Sequence, residues 1–292
     1  MSEPIATPRP QVSAHPTRSV FAASRTALVA LLLRDATVLR KSFGVFVLRT
    51  LIQPLLLVFV FLYVFPSIGQ GVSGHGGRAG ESAFATVLVP GVVGISIMFQ
   101  GVQAVGLQLS TEFGYTREIE DRVQAPCPIW VVAAAKVLSG AMQGVLAAIV
   151  VLPIADVVHA RGVHAHLSIN WWIVITLVPI SCFAMASLGL VLGTVFEPRN
   201  IGLMFGFIIL PITFLGGTYY QWTKLAPVTA YGVHWLQLLV LVNPLIYVAE
   251  GMRAGFTTAS HMPLAVIYPV IVGFCCVFFG VGLYNFRRRV LA

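Results

Sequence analysis

The chain has 292 residues, of which 58% are hydrophobic and only 10% are charged, and its mean hydropathy is +0.89. Soluble domains carry roughly 25% charged residues, so this chain has too little polar surface to cover a water-facing globule, and its composition excludes a soluble fold. The net charge of +8 does not indicate nucleic-acid binding, because the sequence contains no soluble basic module that could carry it.

The first 41 residues precede any segment that could cross a bilayer. Residues 1–17 are rich in proline and polar residues and lack the apolar core of a cleavable signal peptide. We interpret them as a disordered cytoplasmic tail ahead of a transmembrane domain at 18–292. Residues 18–41 favour helix through alanine and leucine, and their basic side chains suit the phosphate headgroup layer. We therefore predict an N-terminal interfacial helix; a soluble helix that packs on a partner is the alternative.

Six apolar stretches are long enough to cross a bilayer, since a span needs roughly 20 predominantly apolar residues. They predict an all-α integral membrane protein with six transmembrane helices. A further apolar run, at 233–242, is too short to span and is interpreted as part of an outer re-entrant hairpin between spans 5 and 6. The six predicted spans are 43–66, 84–109, 129–154, 171–195, 201–217 and 264–286.

The distribution of lysine and arginine predicts the orientation, because cytoplasmic loops retain these residues. With both termini in the cytoplasm, most of the 18 basic side chains fall on the inner side. The loops at 69–81 and 156–168 then lie outside, and the first is flexible by its glycine content. This bias predicts a multi-pass protein of the cytoplasmic (inner) membrane. The basic residues assigned to the outer side are Arg78, Arg161, Lys224 and Arg253.

The few titratable groups near the spans do not form a catalytic pattern. Arg49 lies about two turns into the first span, where it either snorkels to the inner interface or lines an aqueous entrance. Three histidines of the second outer loop, His159, His164 and His166, are either metal ligands or solvated side chains, and we predict no metal site. The chain also lacks a Gly-x-x-x-x-Gly-Lys-Ser/Thr phosphate loop. We therefore predict no catalytic residue and no cofactor in this chain.

A compact charged segment joins the second and third predicted spans. It places six charged side chains within residues 112–122. A short helix over 116–124 would carry most of them, and the prolines that follow would end it. Mixed charge on such a helix favours docking onto a soluble partner, whereas a solvated inner loop is the alternative. The residues that we single out are Glu112, Arg117, Glu118, Glu120, Asp121, Arg122 and Pro126.

A second distinctive segment precedes the last span. It reads FLGGTYY at 214–220 and NPLIY at 243–247, followed by an acidic residue and an arginine three positions apart. The glycines permit a break near the outer interface, and Asn-Pro forces another turn. Broken backbone at membrane depth is tolerated only where protein or water covers it, so we predict an outer gate; a simple turn is the alternative. The gate residues are Gly216, Gly217, Tyr219, Tyr220, Asn243, Pro244, Tyr247, Glu250 and Arg253.

Three glycine pairs within the predicted spans have Gly-x-x-x-Gly spacing, which lets helices approach closely. We predict tight helix packing at these pairs, either inside one subunit or between two. The pairs are Gly140 and Gly144, Gly189 and Gly193, and Gly202 and Gly206.

The two distinctive segments resemble those of type-2 ABC exporter permeases, the family of daunorubicin-resistance, Nod-factor and polysaccharide export transmembrane subunits. In that family an acidic and basic stretch ending in proline follows the second span and inserts into a cleft on the ATPase as a coupling helix. The family also shows a Gly-Thr-aromatic end to the fifth span, then Asn-Pro-Leu-x-Tyr and an acidic-x-x-Arg pair. The resemblance covers 18–290, and the residues that match the coupling pattern are Glu118, Glu120, Asp121, Arg122 and Pro126.

The resemblance implies an ATP-driven exporter with two permease copies, a homodimer more readily than a heterodimer, and two ABC ATPase subunits that bind ATP and Mg. Because the spans offer aromatic and aliphatic walls, we expect an amphipathic or lipid-linked cargo: a drug, a lipid or a glycan. Two alternatives remain at this stage. An ion-coupled secondary transporter would show ionisable groups at mid-membrane depth, and a membrane-embedded enzyme of lipid metabolism would show a catalytic cluster; the sequence displays neither.

Overall fold

The computed structural model describes residues 20–68, 77–116, 128–153, 165–228 and 234–291. Within these ranges the protein consists of helices and their connections, without a β-strand. The predicted all-α class is therefore confirmed. The main helices of the described part are α1 (Val20–Lys41), α2 (Phe43–Ser67), α3 (77–116), α4 (Ile129–Val151), α5 (Trp171–Val195), α6 (Gly202–Phe214), α7 (Trp235–Leu241), α8 (Pro244–Phe256) and α9 (Leu264–Leu291).

Five of the described helices are long and apolar enough to cross a membrane: α2, α3, α4, α5 and α9. They correspond to five of the predicted spans, and α5 begins and ends at the predicted residues. The helix α3 is longer than predicted, because it begins at Gly77 and continues to Thr116. Residues 77–81, which we expected to belong to a flexible outer loop, are therefore helical; residues 69–76 lie outside the described ranges.

The fifth predicted span, 201–217, differs from the structure. Its counterpart α6 is a shorter apolar helix, roughly 20 Å long at 1.5 Å per residue, whereas the hydrocarbon core is about 30 Å thick. The pair α7 and α8 is together long and apolar enough to span, but it bends by 91° at its junction, so it is a broken or re-entrant segment. The run at 233–242 thus belongs to a re-entrant or broken segment, as predicted, and α8 is its second half.

The core is built around α5, which packs against α3, α4, α8 and α9. Two glycines of α5 allow a close approach to α3. A Cβ added at Gly189 would lie 2.8 Å from the carbonyl oxygen of Gly101, and one added at Gly193 would lie 2.8 Å from that of Gly106. Backbone contact at this distance excludes any side chain, so this glycine pair sets the separation of α3 and α5.

The other two glycine pairs behave differently from each other. A Cβ at Gly140 would lie 3.3 Å from the Cβ of Ala186, and one at Gly144 would lie 3.1 Å from the Sγ of Cys182, so α4 also packs closely on α5. By contrast, Gly202 and Gly206 have no described atom within 4 Å of an added Cβ. The predicted packing at this third pair is therefore not made within the described part of one subunit, because that face of α6 has no neighbouring helix there.

Candidate functional site

The predicted gate residues come together at one end of the bundle, the end that the basic bias predicts to be outer. We call this region the cap and define it as residues 214–222 together with α7 and α8. Every one of the 13 residues of α8 is buried. The α8 part of the cap is therefore an internal structure of the protein, whereas α7 exposes Leu238 and Leu239.

Asn243 holds the sharp bend between α7 and α8. Its Oδ1 accepts a hydrogen bond from the backbone N–H of Leu245 at 2.9 Å, which caps the N-terminus of α8. Its Nδ2 donates to the carbonyl of Ile212 in α6 at 2.7 Å. Pro244 occupies the first turn of α8, where no N–H is needed, and the Tyr247 hydroxyl donates to the carbonyl of Leu241 at 3.0 Å. Asn243 thus joins three helices.

The turn after α6 requires glycine. Gly217 has a φ of +67°, in the left-handed region that favours glycine. A Cβ added at Gly216 would lie 2.6 Å from the Cγ of Leu245, and one added at Gly91 of α3 would lie 2.9 Å from the Cα of Thr218. The turn is therefore pressed between α8 and α3, with no room for larger residues on either side.

Arg253 fixes this turn from inside. Its side chain is fully buried, and it donates to three backbone carbonyls: those of Val87 in α3 at 3.3 Å, Gly217, and Thr218 at 3.1 Å. Its Nη1 also donates to Glu250 at 2.9 Å. A buried guanidinium needs such partners for its five donors, because an unpaired charge in an apolar interior is costly.

Glu250 is equally buried and binds the two segments that flank the cap. Its Oε1 accepts from the backbone N–H of Trp222 at 2.8 Å as well as from Arg253, and its Oε2 accepts from the N–H of Met262 at 2.9 Å. The Glu250–Arg253 ion pair therefore connects α3, the glycine turn, the Trp222–Leu225 turn and the segment before α9. The acidic residue and the arginine that the sequence places three positions apart therefore form this ion pair on one face of α8.

Tyr219 and Tyr220 are the remaining predicted gate residues. The ring of Tyr219 packs against those of Phe61 and Phe214, with centroids 5.5 Å and 6.2 Å apart. Burial raises the pKa of both phenols above its ordinary value, and at Tyr220 a backbone hydrogen bond at Gly217 and the charge of Arg253 oppose that rise. Both side chains therefore remain neutral at physiological pH, and the cap contains no phenolate.

The predicted docking segment lies at the opposite end of α3 and mostly outside the described residues, with Arg117, Glu118, Glu120, Asp121, Arg122 and Pro126 among residues 117–127. Glu112 is described, and its position differs from the prediction. Because α3 continues to Thr116, Glu112 still belongs to the bundle, where it is 4% exposed and forms an ion pair with Lys136 of α4. It is a buried contact between α3 and α4 rather than a surface group for a partner.

A second contact anchors the same end of α3. The guanidinium of Arg289 in α9 lies 4.6 Å from the ring centroid of Phe113, and Phe113 also packs against Phe286 at 5.8 Å between centroids. Arg289 donates to the carbonyls of Thr194 and Phe196, both at 3.1 Å, at the C-terminus of α5. A cation suits this position because the last carbonyls of a helix carry partial negative charge.

Comparison with known proteins decides the class of this molecule. The profile of the ABC-2 type transporter family matches residues 26–257, from α1 to the end of α8. The chain belongs to the ABC-2 type transporter family. It is also 28% identical over 238 residues to the inner membrane transport permease YadH of Escherichia coli strain K12, covering 79% of this chain and 84% of that protein. The same figures hold for YadH of Shigella flexneri.

The resemblance drawn from the two sequence segments is therefore confirmed at the level of the family. As an ABC-2 chain whose described part contains five helices long and apolar enough to span and one bent apolar pair, the protein is a multi-pass transmembrane subunit of an ABC transporter. Membership of this family implies an ABC ATPase as partner. The family match includes both the cap and the helices on either side of the docking segment.

The permease also contains a polar cluster around Arg49, for which the sequence left snorkelling and lining of an aqueous entrance as alternatives; the glutamines of this cluster were not predicted. Arg49 donates through Nε to the Gln103 side chain at 2.9 Å, so its guanidinium is held against α3. Beside it, the Thr50 hydroxyl donates to Gln100 at 3.3 Å, and the Gln100 amide donates to Gln143 of α4 at 3.1 Å. Glutamines are uncharged, so they do not stand out among the ionisable groups that mark function inside a membrane. Three glutamines beside an arginine in apolar spans were the available signal.

The histidines provide no support for a metal site. His159 and His164 lie outside the described residues, and the backbone N–H of His166 donates to the Thr86 hydroxyl at 3.0 Å. Among the residues that the structure describes, no three His, Cys, Asp or Glu side chains are arranged to hold a metal ion.

Proposed function

We propose that this chain is the membrane-spanning subunit of an ATP-driven exporter in the cytoplasmic membrane, with both termini in the cytoplasm. The family match over residues 26–257 carries the proposal, and the name of its relatives, inner membrane transport permease, supports the location. ATP and Mg bind to the partner ATPase, since the sequence has no phosphate loop of its own.

In this proposal the segment at 117–127 is the coupling helix, and α3 conveys its movement to the cap. The contacts at the two ends of α3 support this route. Near the coupling helix, α3 binds α4 through Glu112 and α9 through Phe113. Further along the same helix, Val87 and Gly91 contact the turn that Arg253 holds. A displacement of the coupling helix would therefore act on the cap through one unbroken helix.

Two copies of the permease and two ATPase subunits form the transporter, and we favour a homodimer. The open face of α6, where Gly202 and Gly206 have no neighbour within 4 Å in the described chain, supports contact with a second copy. The exposed side chains beside them are large and apolar, with Phe207 78% exposed. We propose an amphipathic or lipid-linked cargo, namely a drug, a lipid or a glycan, which reaches the transporter among membrane lipids.

The coupling helix provides the test. A charged group that is desolvated in a partner's cleft costs about 2–5 kcal/mol when it is removed, whereas an exposed ion pair contributes about 0–1 kcal/mol. Glu120→Ala combined with Asp121→Ala should therefore weaken binding of the ATPase by more than tenfold, since about 1.4 kcal/mol is a factor of ten. The measurement is the amount of ATPase that co-purifies with the tagged permease, and the ATP hydrolysis of the complex in proteoliposomes.

The matched control is Glu197→Ala combined with Arg199→Ala, which removes an exposed ion pair on the side predicted to be inner. This control should retain the ATPase. Full retention by the Glu120 and Asp121 variant as well would show that residues 117–127 are an ordinary solvated loop. ATP hydrolysis by the purified permease alone, above background, would contradict the assignment of ATP to the partner.

A further inference from the structure

A polar cavity of about 270 Å³ lies among α1, α2, α3 and α4, far from the cap. Its rim includes the exposed side chains of Arg49 and Gln108, and its floor includes Gln100 and Ser139, which are 7% and 9% exposed. The cavity therefore opens to the surface of the bundle and extends to buried polar groups. Polar groups in apolar spans are costly unless they have partners, so a cavity lined by them points to a polar occupant.

The buried wall is held in place by its own hydrogen bonds. Gln100 accepts from Thr50 and donates to the Oε1 of Gln143, so both glutamine side chains are positioned. Within the described residues no acceptor is found for the amide N–H groups of Gln143, which lines the cavity. An amide carries two such donors, and they are available to an acceptor inside the cavity.

The charge of the lining favours an anion. Among the described residues that line the cavity, two are arginines, Arg34 and Arg49, and one is acidic, Asp35. The Nε and Nη2 groups of Arg49 donate hydrogen bonds to Gln103. The remaining N–H groups among its five donors can bind a ligand in the cavity. A planar guanidinium fixed by one hydrogen-bonded neighbour is well suited to phosphate, because it offers two parallel donors to two oxygens.

The depth and the flank of the cavity indicate a lipid rather than a free anion. Arg49 lies about 9 Å along α2 from its start at Phe43, and α1 ends beside that start, so the cavity lies near the headgroup layer on the side predicted to be inner. Directly beside Arg49, the apolar side chains of Val45 and Leu48 are 70% and 64% exposed. A polar cavity with an apolar flank fits a molecule with a headgroup and acyl chains.

We propose that this cavity binds the phosphate-bearing headgroup of an anionic membrane lipid that reaches it from the inner leaflet. Arg49 makes the main contact to the phosphate, and the Gln143 amide donates to a second oxygen. The site belongs to the permease alone, so binding requires neither the ATPase nor export. A failure of the export proposal would therefore leave this inference intact, and the reverse also holds.

The test measures lipids retained by the purified permease after reconstitution in nanodiscs of phosphatidylcholine with a minor fraction of phosphatidylglycerol. Native mass spectrometry should show preferential retention of phosphatidylglycerol by the wild type. Arg49→Gln should lower its apparent affinity about tenfold, the effect of losing one charge-assisted contact. Gln143→Glu keeps the shape of the side chain but adds a negative charge, and it should weaken retention as well.

Two controls make the result specific. Arg287→Gln removes an exposed arginine at the same end of the bundle but outside this cavity, and it should leave retention unchanged. Arg49→Lys keeps the charge without the planar fork and should give an intermediate affinity, which also serves if Arg49→Gln fails to fold. Unchanged retention in both Arg49→Gln and Gln143→Glu would overturn the site. Displacement of the lipid by soluble glycerol 3-phosphate at comparable concentration would overturn the assignment to a lipid.

Discussion

At the scale of single residues, two acid–base pairs show how surroundings determine the importance of an ion pair. Glu250 and Arg253 are both fully buried, whereas Arg199 and Glu197 are 80% and 55% exposed. Water solvates each member of the exposed pair when its partner is removed. If Glu250 were removed, neither water nor another charged side chain among the described contacts would compensate the charge of Arg253. Three backbone carbonyls would still accept hydrogen bonds from it.

Glu250→Ala should therefore lower the free energy of unfolding by about 3–5 kcal/mol, the usual cost of leaving one charge of a buried pair uncompensated. Thermal unfolding of the purified permease in detergent, followed by size-exclusion chromatography, measures this change. Glu197→Ala is the control, with an expected change of about 0–1 kcal/mol. Equal stability of the two variants would mean that the ion pair does not hold the cap together.

At the scale of elements, the cap consists of short segments whose geometry depends on single residues. Gly217 has a φ of +67°, and the nearest atom to an added Cβ belongs to the Ile246 side chain of α8. A valine at this position would be strained by its backbone, at a cost of roughly 1–3 kcal/mol, and would also displace α8.

We expect Gly217→Val to abolish export while the ATPase still co-purifies, because the change lies at the opposite end of α3 from the segment that we propose as the coupling helix. Co-purification and transport in proteoliposomes are measured side by side. Gly273→Val is the matched control, since nothing lies within 4 Å of a Cβ at Gly273 in α9. Loss of ATPase binding together with transport would indicate general misfolding and would contradict a role confined to the cap.

The same elements show what sequence could and could not predict. The ends of α5 were predicted at Trp171 and Val195, because a continuous apolar run bounded by polar residues defines a spanning helix. The helix α8 was not predicted as a buried element, because Glu250 and Arg253 lower its hydropathy. These two charges are satisfied by one another and by carbonyls of residues 87, 217 and 218, partners that are distant in sequence and appear only in the tertiary structure.

The functional residues likewise include some that the sequence predicted and some that it did not. Gly217 and Asn243 were predicted as breaks from local backbone chemistry, and the structure has a break at each. The prediction for Glu112 was wrong, because its charge resembles those of the following segment. The helix α3 continues past Glu112, which therefore forms an ion pair with Lys136. An aqueous entrance at Arg49 was one of two alternatives from the sequence, but the walls of the cavity could not be predicted, because they come from four helices whose packing no local pattern describes.

At the scale of the whole molecule, the distribution of basic residues predicts the orientation in the membrane. A reporter fused after Ala292 should be active only in the cytoplasm, and an epitope inserted within residues 72–75 should react with antibody on intact spheroplasts. The expected reason is that α6 runs from the end of the bundle at Glu197 to the cap, where Ile212 binds Asn243, so that the five spans and α6 together return the chain to its starting side. Detection of both sites on the same side would exclude an arrangement in which 72–75 lies outside and the C-terminus inside.

The Arg289 contacts also bear on how the protein is made. Arg289 donates to the Phe196 carbonyl across 93 positions of the sequence and lies over the still earlier Phe113. During synthesis, α3 and α5 therefore enter the membrane long before the residue that fastens their ends together has been translated. Until α9 inserts, the end of the nascent bundle that contains Phe113 and Phe196 lacks these contacts, so the packing of α3 and α5 at this end is completed only when the last helix arrives.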